Sequence, residues 1–170
     1  WNTAKTPARP VLEIKQAGEE KYKRVRARYE SMSSYEYAET GDKLISRSYI
    51  KVEAQLTPDT SYEYRIGDAY LDAYTEPVTI KAVNPTESGK WSFAHVSDSQ
   101  TLGNDGSGSN SGYAFANTLK GISKDETNRF IVHTGDVVEW SRYESYWTNM
   151  LDYNFGALSV MPVMAISGNH

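Results

Sequence analysis

Hydrophobic and polar positions alternate in short runs over the first half of the chain. RPVLEIKQ (9–16), YKRVRARYES (22–31), RSYIKVEAQL (47–56), SYEYRIG (61–67) and PVTIKAV (77–83) carry β-branched and aromatic residues, often at every second position. A period of two turns one side of an extended chain toward a core and the other toward water, so these runs predict five strands. Ala17-Gly18, Gly41-Asp42, Pro58-Asp59 and Gly67-Asp68 supply turn chemistry between them. Short strands at this spacing predict a β-sandwich over residues 1–88. Five strands are fewer than a sandwich needs, and Trp1-Asn2-Thr3 is expected in a further strand whose predecessor is missing.

The pattern changes after Asn84–Lys90, a polar stretch bearing Pro85 and Gly89, which places a domain boundary there. Beyond it the expected order is strand (91–97), Gly/Ser loop (103–112), helix (113–122), strand (130–134), helix (142–153) and strand (161–166). Such βαβαβ alternation predicts an α/β domain over 91–170, with a largely parallel sheet and right-handed crossovers. Trp147, Met150 and Leu151 have helical spacing and predict the face packed on that sheet. The loop GNDGSGSNSG reads as a flexible connection. It lacks the Lys-Ser/Thr pair of a phosphate-binding loop, and a calcium loop centred on Asp105 would lack its bidentate Glu.

The three predicted strands of the second half each end in potential metal ligands: WSFAHVSDSQ, RFIVHTGDVVEW and MPVMAISGNH. Ligand sites of open α/β sheets lie at the carboxyl ends of strands. Asp98 and Gln100, two apart on an extended strand end, point the same way and can grip one cation through a carboxylate and an amide oxygen. Asp136 follows 38 positions on (136 − 98), after a glycine that lets the backbone come close, and can bridge two cations. Asn169, 33 further (169 − 136), offers a neutral oxygen to the second cation, and His170 can protonate a leaving oxygen. Taken singly each cluster reads as turn chemistry; taken in order on three parallel strands they read as a dinuclear site. His95 and His133, inside strands, read as core histidines and stay outside the ligand set. Glu139, Trp140, Arg142 and Tyr143 either shape a substrate mouth, with Arg142 pairing with phosphate, or open a helix with a solvated charge.

Composition narrows the chemistry. The 170 residues include 39% hydrophobic side chains, enough for a core, and a formal charge of −4 that speaks against a nucleic-acid scaffold role. The basic run Lys21, Lys23, Arg24, Arg26 and Arg28 reads as one solvated strand face. No run has the length of a membrane span, and Trp1 opens the chain in polar sequence with no signal-peptide pattern, as if cut or processed. Absence of cysteine excludes disulfides and thiolate chemistry.

D-x-Q, then GD, then GNH, each after an apolar strand, resembles the calcineurin-like metallophosphoesterase superfamily. LTPDTSYEY, with Leu56, Pro58, Thr60 and Tyr62, is similar to the tyrosine corner of a fibronectin type III or immunoglobulin-like sandwich. Together they resemble purple acid phosphatases and related bacterial phosphoesterases. The resemblance implies two divalent cations (Mn, Fe, Mg or Zn), with Asp98 and Gln100 on the first, Asp136 bridging and Asn169 on the second. It implies a metal-bound hydroxide as nucleophile, His170 as acid, Asn169 and His170 facing the substrate, and hydrolysis of a phosphate mono- or diester. An extracellular or cell-surface location is expected.

Two departures stand out. Purple acid phosphatases place a tyrosine three residues after the bridging aspartate where this chain has Glu139, so a colourless type is expected. The first motif more often ends in histidine than in Gln100, whose harder oxygen favours Mn²⁺, Fe²⁺ or Mg²⁺ over Zn²⁺. The superfamily also takes histidine ligands, including a GHxH-like element, from sequence after GNH. The chain is therefore expected to be a portion of an enzyme, inactive without the rest of the catalytic domain as its partner. The alternative is a non-catalytic cell-surface binding module on the same scaffold.

Overall fold

A computed structural model describes residues 1–36, 41–102 and 111–170. Most of the Gly/Ser loop, with Asp105, therefore lies outside the described residues. The chain is rich in β-sheet, and it divides into two compact units, Trp1–Ser33 with Ile45–Glu87, and Ser34–Leu44 with Ser88–His170. No helix among the described residues is long and apolar enough to cross a membrane.

The first unit draws on β1 (Asn2–Thr3), β2 (Pro10–Gln16), β3 (Lys23–Arg26), β4 (Arg28–Glu36), β5 (Lys43–Lys51), β6 (Ser61–Asp68), β7 (Ala73–Tyr74) and β8 (Val78–Lys81). One sheet runs β3-β2-β6-β7 with β8 also paired to β6; another runs β1-β5-β4. Leu12 and Ile14 of β2 pack with Tyr62, Ala82 and Ile80, the apolar side that period two predicts. The other side of β2 is covered as well. Glu13, 4% exposed, lies between Arg24 of β3 and Arg65 of β6, each 2.6 Å from a carboxylate oxygen. Burial pushes that carboxyl up, but hydrogen bonds from Arg24 and Arg65 outweigh it and hold Glu13 below the usual range.

The run YKRVRARYES is two strands rather than one. Ala27, buried between them, donates its N–H to the Pro10 carbonyl (3.0 Å), and the chain passes there from the sheet of β2 to that of β5. The strand expected over 47–56 lies at 43–51 instead, and Val52 and Leu56 beyond it pack against the core as loop residues. The Thr57 N–H donates to the buried Tyr62 hydroxyl (3.0 Å), which ties the Pro58-Asp59 turn to β6.

Asp68 ends β6 in a ring of backbone donors: Ala8 (2.7 Å), Arg9 (3.1 Å), Tyr70 (2.9 Å) and Leu71 (3.3 Å). Desolvation raises its pKa, but these four N–H groups favour the carboxylate and the net direction is down. A depressed folded pKa means stabilisation that is complete above the unfolded value of about 3.9 and is lost as pH falls through the lower folded value. Urea midpoints measured from pH 7 to pH 2 are expected to fall less steeply for Asp68→Asn, which starts less stable. Parallel curves for the two proteins would contradict this.

The second unit carries β9 (Ser92–Val96), α1 (Ser111–Ile122), β10 (Asn128–His133), α2 (Glu144–Leu158) and β11 (Val163–Ala165). Both strand pairs are parallel, with β10 central, as the alternation predicts. α1 and α2 pack on one side of the sheet through Leu119, Ile131, Ala157 and Met161. Consecutive right-handed crossovers in one direction place both helices on that side. On the other side Phe93 stacks on Phe130 at 5.2 Å, and Phe93 and Met164 stay about half exposed. α2 begins at Glu144 and extends to Leu158, so its buried stripe is Tyr146, Met150, Asn154 and Ala157. Leu151, expected on that stripe, is 40% exposed, because the helix presents positions four apart from Tyr146. Val96, His133 and Ala165, the last residues of the three strands, are partners across the sheet. All three following segments therefore leave from one edge.

Candidate metal centre

Backbone pairing continues past the strand ends. Thr134 N–H donates to the Val96 carbonyl (3.0 Å), Asp98 N–H to Gly135 (3.1 Å), Gln100 N–H to Asp136 (2.9 Å) and Thr101 N–H to Val137 (3.1 Å). The segment with Asp98 and Gln100 is thereby stitched to the one with Asp136. The backbone here is not extended. Asp98, Gln100 and Asp136 have φ of 51°, 37° and 52°, and Gly135 has 118°. Expecting Asp98 and Gln100 to align by strand alternation is thus incorrect: β9 ends at Val96, and left-handed residues re-aim both side chains. Such φ values cost about 1–3 kcal/mol each for non-glycine residues, and they gather where the surrounding structure enforces them.

The third segment closes on Asp136. His170 N–H donates to Asp136 Oδ1 at 2.9 Å, and Gly168 passes so near that a Cβ built on it would lie 1.9 Å from that oxygen. Only a residue without a side chain fits there. Asp136, Ser141, Trp147, Gly168, Asn169 and His170 line a recess of about 310 Å³. The His170 imidazole bonds through Nδ1 to the Glu139 carbonyl (3.1 Å), with the Glu139 carboxylate 3.6 Å away. A carbonyl only accepts, so Nδ1 carries the proton and Nε2 is left for other partners. The Ser141 N–H donates to the His170 carbonyl (3.4 Å), and the Trp147 indole N–H donates to Ser141 (2.7 Å).

Asp136, Asn169 and His170 thus line one recess. Asp98 and Gln100 do not line it; their backbones bond to Gly135 and Asp136 beside it. Arg142 does not line the recess. Its guanidinium stacks on the Tyr143 ring (4.6 Å) and faces Asp42 (3.4 Å), and its carbonyl accepts the Tyr35 N–H (2.9 Å). Its Nη2 faces Asp42 and Tyr143 rather than the recess. His95, on the exposed side of β9, meets the Thr134 hydroxyl (3.0 Å).

Sequence reasoning missed two features. Glu139 holds His170 through its backbone, which no side-chain pattern reveals. His133, 1% exposed, contacts both ligand loops, accepting the Gly135 N–H at Nδ1 (3.3 Å) and meeting the Ser99 hydroxyl at Nε2 (3.0 Å). The alternation Ile131, His133 on the helix side of β10 was the available signal for a buried, engaged imidazole. Burial lowers its pKa, against an upward pull from Asp98 and Asp136.

The oxygen donors of Asp98, Gln100, Asp136 and Asn169 are hard, as Mg²⁺ or Mn²⁺ requires, and the Gly168 approach leaves room for the Asp136 carboxylate alone. In kind the residues fit divalent cations. In number they fall short, since among the described residues no three His, Cys, Asp or Glu side chains gather as a metal-binding group.

Residues 92–170 match the family model described as calcineurin-like phosphoesterase. No curated protein sequence matches the chain. Among solved structures, the whole chain superposes on a purple acid phosphatase from seeds of yellow lupin (Lupinus luteus) with a TM-score of 0.73 at 22% identity. It spans 32% of the length of that enzyme. Identity this low shows a shared fold alone, and the likeness to phosphoesterases rests on the family match over residues 92–170.

Proposed function

We propose that this chain, whose residues 92–170 carry a calcineurin-like phosphoesterase domain, is part of a dinuclear metal-dependent hydrolase of phosphate mono- or diesters acting at the cell surface or outside the cell. The supporting observation is that the segments carrying Asp98 and Gln100, Asp136, and Asn169 and His170 all leave the carboxyl edge of one parallel sheet and are hydrogen-bonded to one another there. Its first unit we read as a fibronectin-like sandwich, on the strength of the Tyr62 hydroxyl bonded to Thr57.

In this reading Asp98 and Gln100 would hold one cation and Asn169 the other, with Asp136 serving both. Two such cations would activate water and neutralise charge on the phosphoryl group. His170 stands beside the recess with Nδ1–H fixed on Glu139, so Nε2 is the atom that faces the substrate and gives a proton to the leaving oxygen. The Glu139 carboxylate is placed to balance the charge of a protonated ring. Trp147 lines the recess, and the Trp140 ring lies 6.4 Å from the imidazole.

Divalent cations of this type take about six ligands, more than these residues provide. The 170-residue chain is therefore expected to bind Mn²⁺ weakly by calorimetry and to leave 4-nitrophenyl phosphate unhydrolysed, while a protein containing it together with further histidine ligands turns the ester over. Tight binding with turnover by the chain alone contradicts the incomplete-site reading. A complete protein that binds Mn²⁺ without hydrolysing any ester favours a binding module instead.

A further inference from the structure

We propose that Ser99 and His133, neither of them a metal ligand, are positioning residues that lock the two ligand-bearing loops into a single register. The proposal rests on the reading that Asp98, Gln100 and Asp136 hold cations.

The hydrogen bonds allow one arrangement of protons. The Ser99 hydroxyl donates to the Val137 carbonyl (2.9 Å), which can only accept. Having spent its proton, the Ser99 oxygen accepts from His133 Nε2–H at 3.0 Å. A neutral ring protonated at Nε2 has a free lone pair at Nδ1, and this accepts the Gly135 N–H at 3.3 Å. All three contacts require the same tautomer, so the chain Gly135, His133, Ser99, Val137 is internally consistent.

Its position gives it a function. Ser99 lies between Asp98 and Gln100, and Gly135 and Val137 flank Asp136, so the imidazole ties together the immediate neighbours of three ligands. Those ligands have left-handed backbones that relax unless something holds them. The ring itself is enclosed. It is buried under α1, with the Phe115 ring 5.7 Å away edge-on. Supporting groups of this kind, behind the ligands, typically change metal affinity about 10–100-fold when removed.

The test uses the 170-residue chain with Ser99→Ala, Ser99→Thr and His133→Phe. Nitrogen-15 imidazole spectra of the wild type are expected to show His133 protonated at Nε2. Amide hydrogen exchange at Asp98, Gln100 and Gly135 is expected to quicken at least about tenfold in Ser99→Ala, with exchange in β2 and β6 unchanged, and Ser99→Thr is expected to restore it. Mn²⁺ added to the wild type is expected to broaden the amide signals of Asp98, Gln100 and Asp136, at about tenfold higher concentration in Ser99→Ala and His133→Phe. Protonation at Nδ1, or exchange that quickens equally over the whole chain, overturns the positioning role. Absence of broadening in the wild type overturns the metal reading, and the tautomer and exchange data then still judge the lock.

Discussion

Gly168→Ala is expected to destroy the candidate centre while leaving the first unit folded. A Cβ on Gly168 would lie 1.9 Å from Asp136 Oδ1 and 2.5 Å from the Asp136 backbone nitrogen. The second contact is with main chain, so no side-chain rotation relieves it. From the opposite side Gly135, at φ 118°, already lies so close that its own Cβ would be 2.9 Å from Gly168 Cα. The 166–170 segment would have to move away by about 1 Å, breaking the bond from His170 N–H to Asp136. Misplacement of that size costs on the order of a hundredfold in rate. In a complete enzyme Mn²⁺ affinity and turnover should both collapse, with exchange protection in β2 and β6 intact. Gly156→Ala is the control: nothing lies within 4 Å of its Cβ, and within α2 the change should stabilise by about 1 kcal/mol. Equal metal affinity in Gly168→Ala and the wild type would show that the Gly168 approach is not needed by the centre.

The second large effect separates Asp136 from His170. Asp136→Asn keeps an oxygen for the His170 N–H, so the local fold should survive, but it removes the negative charge on which two cations depend. Turnover of a complete enzyme should fall about a thousandfold or more, with loss of metal at both positions. His170→Ala removes only the proton donor and its Glu139 contact, and should lower turnover about 10²–10⁴-fold with both metals retained. Metal content by mass spectrometry alongside steady-state rates separates the two. Equal metal loss in both variants would reverse the roles given to these residues.

Much of this was legible in the sequence because it depends on local chemistry. Apolar runs ending in Asp98, Asp136 and Asn169 specify strands whose polar ends lie at one edge, since parallel strands joined by helices all point the same way. The alternation of Leu12 and Ile14 likewise located one side of the first core. The division of YKRVRARYES at Ala27 was not legible, because it follows from a hydrogen bond to Pro10, 17 positions away (27 − 10). Nor was the displacement of Leu151 from the buried stripe of α2, because which face of a helix turns inward is set by what it packs against, here α1 and the sheet.

By itself, then, the sequence determined which residues can donate to a cation, their order along the chain, and the sheet edge at which they emerge. Each of those properties belongs to a residue and its few neighbours. Only the tertiary structure decided how they are held: the left-handed turns of Asp98, Gln100 and Asp136, the Gly135 and Gly168 backbones pressed together, the His133 imidazole bonded to both loops, and Arg142 turned to Asp42 instead of the recess. These features arise between segments more than 30 positions apart (133 − 99, for instance), where a hydrogen bond or a clash is set by the packing of strands and helices and leaves no period in the sequence.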